Sequence, residues 1–179
     1  MDVNERELIK RAKGGDRKAF DKLIMEYKDK MFGLTYRMTG DREAALDLTQ
    51  DTFLAAFKDL RRFREQSAFS SWLYRIAANK SINFIRRRKL LSFVSLGEMP
   101  NLEPSYEMNS DPDSATLAKA VGEGLKDLPP KQKLVFNLRF FEKMPFGKIA
   151  EVLDKSESTV KTNYRKAVEK LRAKLKDFR

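Results

Sequence analysis

Within the segment SESTVKTNYRKAVEKLRAKL, Ser158, Lys161, Thr162, Arg165 and Lys166 recur at spacings that gather them on one side of an α-helix. Val160, Tyr164, Ala167, Val168, Leu171 and Leu175 gather on the other side. Arg and Lys set out this way can donate to guanine edges or to phosphates. Thr can meet a base or a thymine methyl, and the helix N-terminus itself attracts phosphate. This is chemistry of recognition, not of bond-making. A solvated basic face would have the same composition, so this helix taken alone leaves both readings open.

Bond-making chemistry has little to draw on. The 179 residues include no Cys and no His, which removes disulfides, thiolate and imidazole metal ligands, a thiol nucleophile and the commonest general base. No set of carboxylate, Lys or Tyr groups converges in the sequence, so no catalytic residue, no metal site and no cofactor are expected. Lys and Arg outnumber Asp and Glu by 37 to 26, a net charge of +11 that makes a polyanion the first partner to consider. No apolar run approaches the roughly 20 residues that cross a bilayer, and the N-terminus has no signal-peptide core. The expectation is a cytoplasmic protein without membrane insertion.

The basic face needs neighbouring elements to hold it in place. After Pro129-Pro130, KQKLVFNLRFF reads as one helix, FGKIAEVL as a second and the basic segment as a third. Only Asp154-Lys155-Ser156 separates the last two, which is helix-turn-helix spacing. Pro145 suits a helix entry, Asp154 a tight turn that often takes Gly, and Ser156 an N-cap. With these neighbours included, the DNA-reading interpretation of the basic face outweighs the solvated one. A helix-turn-helix usually works as a dimer, yet no dimerisation helix or ligand domain is evident, so another partner must supply affinity and register.

Upstream, Asn4 with Glu7 forms a capping-box pattern, Gly14-Gly15 closes a short helix and Asp16 caps the next. That next helix carries an apolar stripe from Phe20 through Leu23, Ile24, Tyr27, Met31 and Leu34 to Met38, and Gly40 ends it. Asp41 starts a third helix, which buries Ala45, Leu48, Thr52, Phe53, Ala56 and Leu60 and runs to about Phe63. Arg64 to Ser70 breaks the period before another helix begins near Ser70 or Ser71. Charge divides the chain into three: residues 1–92 hold 21 basic and 13 acidic side chains, 93–114 none and five, 115–179 sixteen and eight. The acidic strip has three Pro, four Ser and no period, so it reads as a linker, with a long ordered loop as the alternative. Asp111-Pro112 marks the start of the next helical stretch. The fold expected is all-α: two small helical domains joined by a flexible acidic linker, the second containing the helix-turn-helix.

DLTQDTFLAAF (Asp47 to Phe57), FREQSAFSSWLYRIAANKSINFIRRRK (Phe63 to Lys89) and LPPKQKLVFNLRFF with IAEVLDKSESTVKTNYRKA (Leu128 to Ala167) resemble extracytoplasmic-function sigma factors, group IV of the sigma-70 family. The resemblance covers nearly the whole chain except the linker. It implies a transcription initiation factor that binds core RNA polymerase, directs it to promoter DNA and promotes opening. An anti-sigma factor is a further implied partner. Residues 1–92 would be sigma region 2, 93–114 the linker and 115–179 sigma region 4. For DLTQDTF it implies docking on the polymerase clamp through Asp47, Leu48, Gln50 and Asp51. Positions 47, 50, 51 and 54 share a helical face, so two carboxylates and an amide could meet partner Arg or Lys.

For FREQSAFSSWLYRIAANK the resemblance implies minus-ten recognition and capture of a flipped base by Phe63, Arg64, Ser67, Ala68, Asn79 and Lys80. A small, polar loop can enclose a splayed base, aromatic or guanidinium faces can stack on it, and Asn79 can bond its edge. Trp72 and Tyr74 stay open between core and DNA contact. Arg86 to Lys89 would close this helix, favouring its dipole and gripping phosphates. Ser158, Lys161, Thr162, Arg165 and Lys166 match positions facing the minus-thirty-five element. Ser158 stands where the family usually has Gly, Asn163 where it has Arg, and Asn83 where an acid is common. The rival reading is a free-standing helix-turn-helix regulator with a helical sensor domain, which leaves DLTQDTF and FREQSAF without a role.

Overall fold

The computed structural model describes residues 3–65, 67–94 and 121–176, and every regular element among them is helical. In order these are α1 (Val3–Lys13), α2 (Arg17–Thr39), α3 (Arg42–Asp59), a 3-10 turn (Leu60–Arg62), α4 (Phe69–Val94), helical turns over 121–126, α5 (Pro130–Phe140), α6 (Phe146–Leu153) and α7 (Glu157–Lys176). No helix among the described residues is long and apolar enough to cross a membrane.

The helix boundaries follow from capping chemistry. Gly15 turns the chain at φ 97°, and the Asp16 carboxylate accepts from the Ala19 amide at 3.2 Å to start α2. A hydrogen bond from Arg11 is the main cause that lowers the Asp16 pKa, with the Ala19 amide second. Gly40, at φ 70°, ends α2 with its amide on Tyr36 O at 2.8 Å, and Asp41 then caps α3 through the Ala44 amide at 3.1 Å. Each of these carboxylates satisfies an amide that has no partner inside its own helix. Two expected boundaries shift. Val3 is already helical, so Asn4 sits inside the first turn of α1 and does not cap it. Nor does α4 close at Arg86 to Lys89: it starts at Phe69 and continues to Val94.

The apolar stripe of α2 is buried as its spacing requires, with Leu23, Met31, Leu34 and Met38 at or near zero exposure in one core with Ala56 of α3 and Leu73 and Ala77 of α4. Thr35, also fully buried, satisfies its hydroxyl on Met31 O and Ala45 O and so ties α2 to the start of α3. In the C-terminal domain, Leu125, Leu128 and Phe136 pack on Ala167 and Leu171 of α7. The two helical domains also meet each other. Leu134 and Leu138 of α5 and Ile149 and Val152 of α6 belong to the same continuous apolar core as Met38, Leu73 and Ala78. Most of the expected linker 93–114, including Asp111-Pro112, lies outside the described residues.

Candidate nucleic-acid and polymerase interface

The helix-turn-helix is built by three local choices. Asp154 takes the left-handed conformation (φ 52°, ψ 54°) at the end of α6, and the Lys155 amide returns to Ala150 O at 3.0 Å. Asp is among the few non-Gly residues that visit this region readily. Ser156 then accepts from the Thr159 amide at 3.2 Å and starts α7. Val160, Ala167 and Leu171 point inward, and the Tyr164 ring stacks on Phe136 with centroids 6.0 Å apart.

This leaves Ser158, Lys161, Thr162, Arg165 and Lys166 exposed together, as their spacing requires. Lys161 pairs with Glu157 at 2.6 Å and Arg165 with Glu169 at 3.7 Å, all four side chains open to water. Exposed pairs four residues apart are worth about 0.3–0.5 kcal/mol, so a polyanion displaces them at little cost. Asn163, where the family usually has Arg, is tied back to Thr159 O at 2.9 Å.

The segment before α4 is shaped by a residue that the sequence did not single out. Lys13 of α1 pairs with Glu65 at 2.8 Å and lies 5.3 Å from the Phe63 ring centroid, fixing the loop where Glu65 takes φ 57°. Arg64 is exposed, and Ser67 and Ala68 are half-buried. Phe63 does not present its ring to a base. It is 5% exposed, with its ring 5.0 Å from Trp72 and 5.8 Å from Phe69. The apolar ring is worth more inside this aromatic cluster than on a loop surface. Tyr74 lies in the buried core, and half-buried Trp72 packs its ring against Phe63 and Phe69.

Asn79 is exposed ten residues into α4, about 15 Å along the axis from the helix start. Its neighbour Lys80 is half-buried and pairs with Asp51 at 3.4 Å, joining α4 to α3.

On α3, Asp47, Gln50 and Asp51 are exposed, but Leu48 is only 8% exposed and belongs to the helix's buried side. One residue is a 100° rotation, so Leu48 cannot share the face of Asp47. The apolar part of the outer face comes instead from Leu46, Leu54 and Phe57, each about half exposed. Their signal was present in the sequence. Leu46, Gln50, Leu54 and Phe57 follow a helical period that the buried stripe of α3 does not use. Of the basic run on α4, Arg86, Arg87 and Lys89 are exposed, while Arg88 pairs with Asp41 at 3.4 Å.

One helical body carries an exposed acidic and apolar face on α3, and the helix-turn-helix body carries an exposed basic face on α7, as the resemblance to sigma factors implies. Comparison with known proteins agrees: the family model for Sigma-70 region 2 matches residues 23–90, and that for Sigma-70, region 4 matches residues 124–173. The chain is 31% identical to the ECF RNA polymerase sigma factor SigW of Bacillus subtilis, over 99% of this chain and 100% of that one. It is 32% identical to the RNA polymerase sigma-H factor of Pseudomonas aeruginosa, over 92% and 90%. Among solved structures, CnrH in complex with the cytosolic domain of CnrY superposes with a TM-score of 0.72 at 26% identity, covering 97% of this chain and 98% of CnrH. The protein belongs to the ECF sigma factors of the sigma-70 family. It is a non-enzymatic factor that directs RNA polymerase to promoter DNA.

Proposed function

We propose that initiation is divided among three surfaces of this sigma factor. The outer face of α3, with Asp47, Gln50 and Asp51 beside Leu46, Leu54 and Phe57, docks on core polymerase. Carboxylates take partner Arg or Lys while the apolar side chains bury against it. The Arg64 to Ala68 loop encloses a base extruded from the opening minus-ten region, and Asn79, with Lys80 beside it, reads the strand further along α4. Exposed Arg86, Arg87 and Lys89 hold phosphates and fix register. The α7 face of Ser158, Lys161, Thr162, Arg165 and Lys166 reads the minus-thirty-five element.

In this reading residues 1–92 form the docking and opening unit, 93–114 the acidic linker and 115–179 the upstream reader. Five carboxylates without a cation suit a segment that mimics nucleic acid inside a basic channel. Such a factor works in the cytoplasm, and an anti-sigma factor is a partner the family brings with it. The observation that carries the reading is the separation of two exposed faces of opposite character, acidic and apolar on α3, basic on α7. A free-standing regulator needs only the second.

The test is in vitro transcription with core polymerase and a randomised promoter library. Core-dependent selection of a two-part promoter supports the division. Tight, sequence-selective binding by the protein alone, with no response to core, overturns it.

A further inference from the structure

Ahead of α4 lies a cluster of cations of which the proposed surfaces use only Arg64. Residues 58–65, KDLRRFRE, span the end of α3, the 3-10 turn and the start of the loop. Leu60 and Phe63 of this segment are buried and anchor it, while Lys58, Arg61, Arg62 and Arg64 are all exposed. Helix α1 adds to the cluster. It packs against the 3-10 turn, and Lys13 in its last turn pairs with Glu65 at 2.8 Å. Lys10 is exposed one turn earlier, on the same side of α1 as Lys13.

The charge of this shelf is not cancelled locally. Its two carboxylates are Asp59 and Glu65, and Lys13 takes the second. Asp59 meets Arg62 only at 3.8 Å, with both side chains more than half exposed, and such a pair yields readily to a stronger anion. Lys10, Lys58, Arg61 and Arg64 have no ion pair among the described residues. A row of cations around one short turn repels itself unless an anion lies across it.

Its position selects the anion. Helix α4, at 26 residues, is about 39 Å long. Arg86, Arg87 and Lys89 stand towards its C-terminal end, Asn79 near its middle and the Arg64 to Ala68 loop at its start. DNA laid along α4 in this order is duplex at the basic run and unpaired once a base has entered the loop. The shelf begins where that path ends, because Lys13 lies 5.3 Å from the Phe63 ring centroid, at the foot of the loop.

We infer that this shelf grips the phosphates of the single strand that leaves the capture loop on the side away from the minus-thirty-five element. The inference rests on the proposed base capture and adds a contact that reads no base. Arg61 and Arg62 take phosphates from the 3-10 turn, with Lys58 and Lys10 flanking them, so any sequence beyond the captured base is accepted. Holding the strand on both sides of the extruded base opposes its return to the stack.

The signature is a salt dependence that appears only when the strand reaches the shelf. Each phosphate of a single strand that is neutralised contributes about 0.7 to the slope of log affinity against log salt. Arg61→Gln with Arg62→Gln should therefore lower the slope by about 1.4, so that between about 50 and 200 mM salt the wild type loses about sevenfold more affinity than the variant. The full chain, bound to core polymerase, is titrated with two fluorescent single strands bearing the minus-ten sequence. One ends at the captured base, and the other continues past it for about six nucleotides, enough to cross the two contacts. The variant should fall behind the wild type on the longer strand alone. Arg61→Lys with Arg62→Lys, which keeps both charges, should retain the wild-type slope. An equal loss on both strands, or an unchanged slope on the longer one, overturns the inference. Weakened core binding with unchanged strand binding assigns these cations to an acidic surface of the polymerase and overturns it as well. Base capture is judged separately: a scrambled short strand bound as tightly as the original refutes capture, while the effect of the extension still decides the shelf.

Discussion

Lys133 offers a sharp test of the packing of α5. Its side chain is 7% exposed, and no carboxylate among the described residues pairs with it. Burial first, and the nearby charge of Lys126 second, push its pKa down from 10.5 to about 8. That difference corresponds to about 3 kcal/mol of penalty for holding the charged form in the folded state. The sign follows from proton linkage. With the folded pKa below the unfolded one, the unfolded chain binds the extra proton between about pH 8 and 10.5, so stability rises with pH across that window. At pH 7 the whole penalty is present. Lys133→Met, which keeps the length and removes the charge, should therefore stabilise the protein by about 1–3 kcal/mol at pH 7. Urea unfolding of both proteins measures the gap, and the gap should shrink as pH rises from 8 towards 10.5. A variant less stable at pH 7, or a gap constant from pH 7 to 10, would refute the assignment of a buried, unpaired ammonium.

The remaining predictions concern the three surfaces. Asp47→Arg with Asp51→Arg should reduce core binding at least tenfold while circular dichroism stays at wild type, because both side chains are exposed; pull-down of core at the wild-type level would remove the docking face. Arg165→Ala and Lys161→Ala should each weaken minus-thirty-five binding by about 1–3 kcal/mol, and at least one should relax base preference at a single position. Binding to a randomised duplex pool checks this, and unchanged preference with a reduced salt slope would make α7 a phosphate grip only. Asn79→Ala should impair opening of a closed promoter, and a template mismatched across the minus-ten region should recover much of the loss, since separation costs a few kcal/mol. Equal relative activity on both templates would make Asn79 structural.

How far the sequence carried the account depends on the kind of residue. Caps and turns were legible because they are local: Asp16, Gly40, Asp41, Asp154 and Ser156 each satisfy a nearby amide or supply a left-handed turn. The basic face of α7 was legible because helical periodicity alone decides which side chains share a side. Phe63, and Leu48 in its second role as a docking residue beside its place in the buried stripe, sit deeper than the motifs alone suggest. A motif marks a segment as functional without saying which of its side chains hold the segment up. In both cases the apolar group is buried and polar neighbours carry the surface. The Lys13–Glu65 and Arg37–Glu142 pairs were invisible because their partners lie 52 and 105 residues apart in the chain. No local pattern encodes such pairings; they exist only once apolar packing has brought the helices together.

A sigma factor opens promoter DNA only in the company of core polymerase. Permanganate footprinting of a promoter drawn from the randomised library, with protein alone, core alone and both together, measures that directly. Reactive, unpaired thymines around the minus-ten element should arise only with both present, and should weaken with Asn79→Ala. Unpairing by the protein alone, or equal reactivity with core alone, would contradict the account.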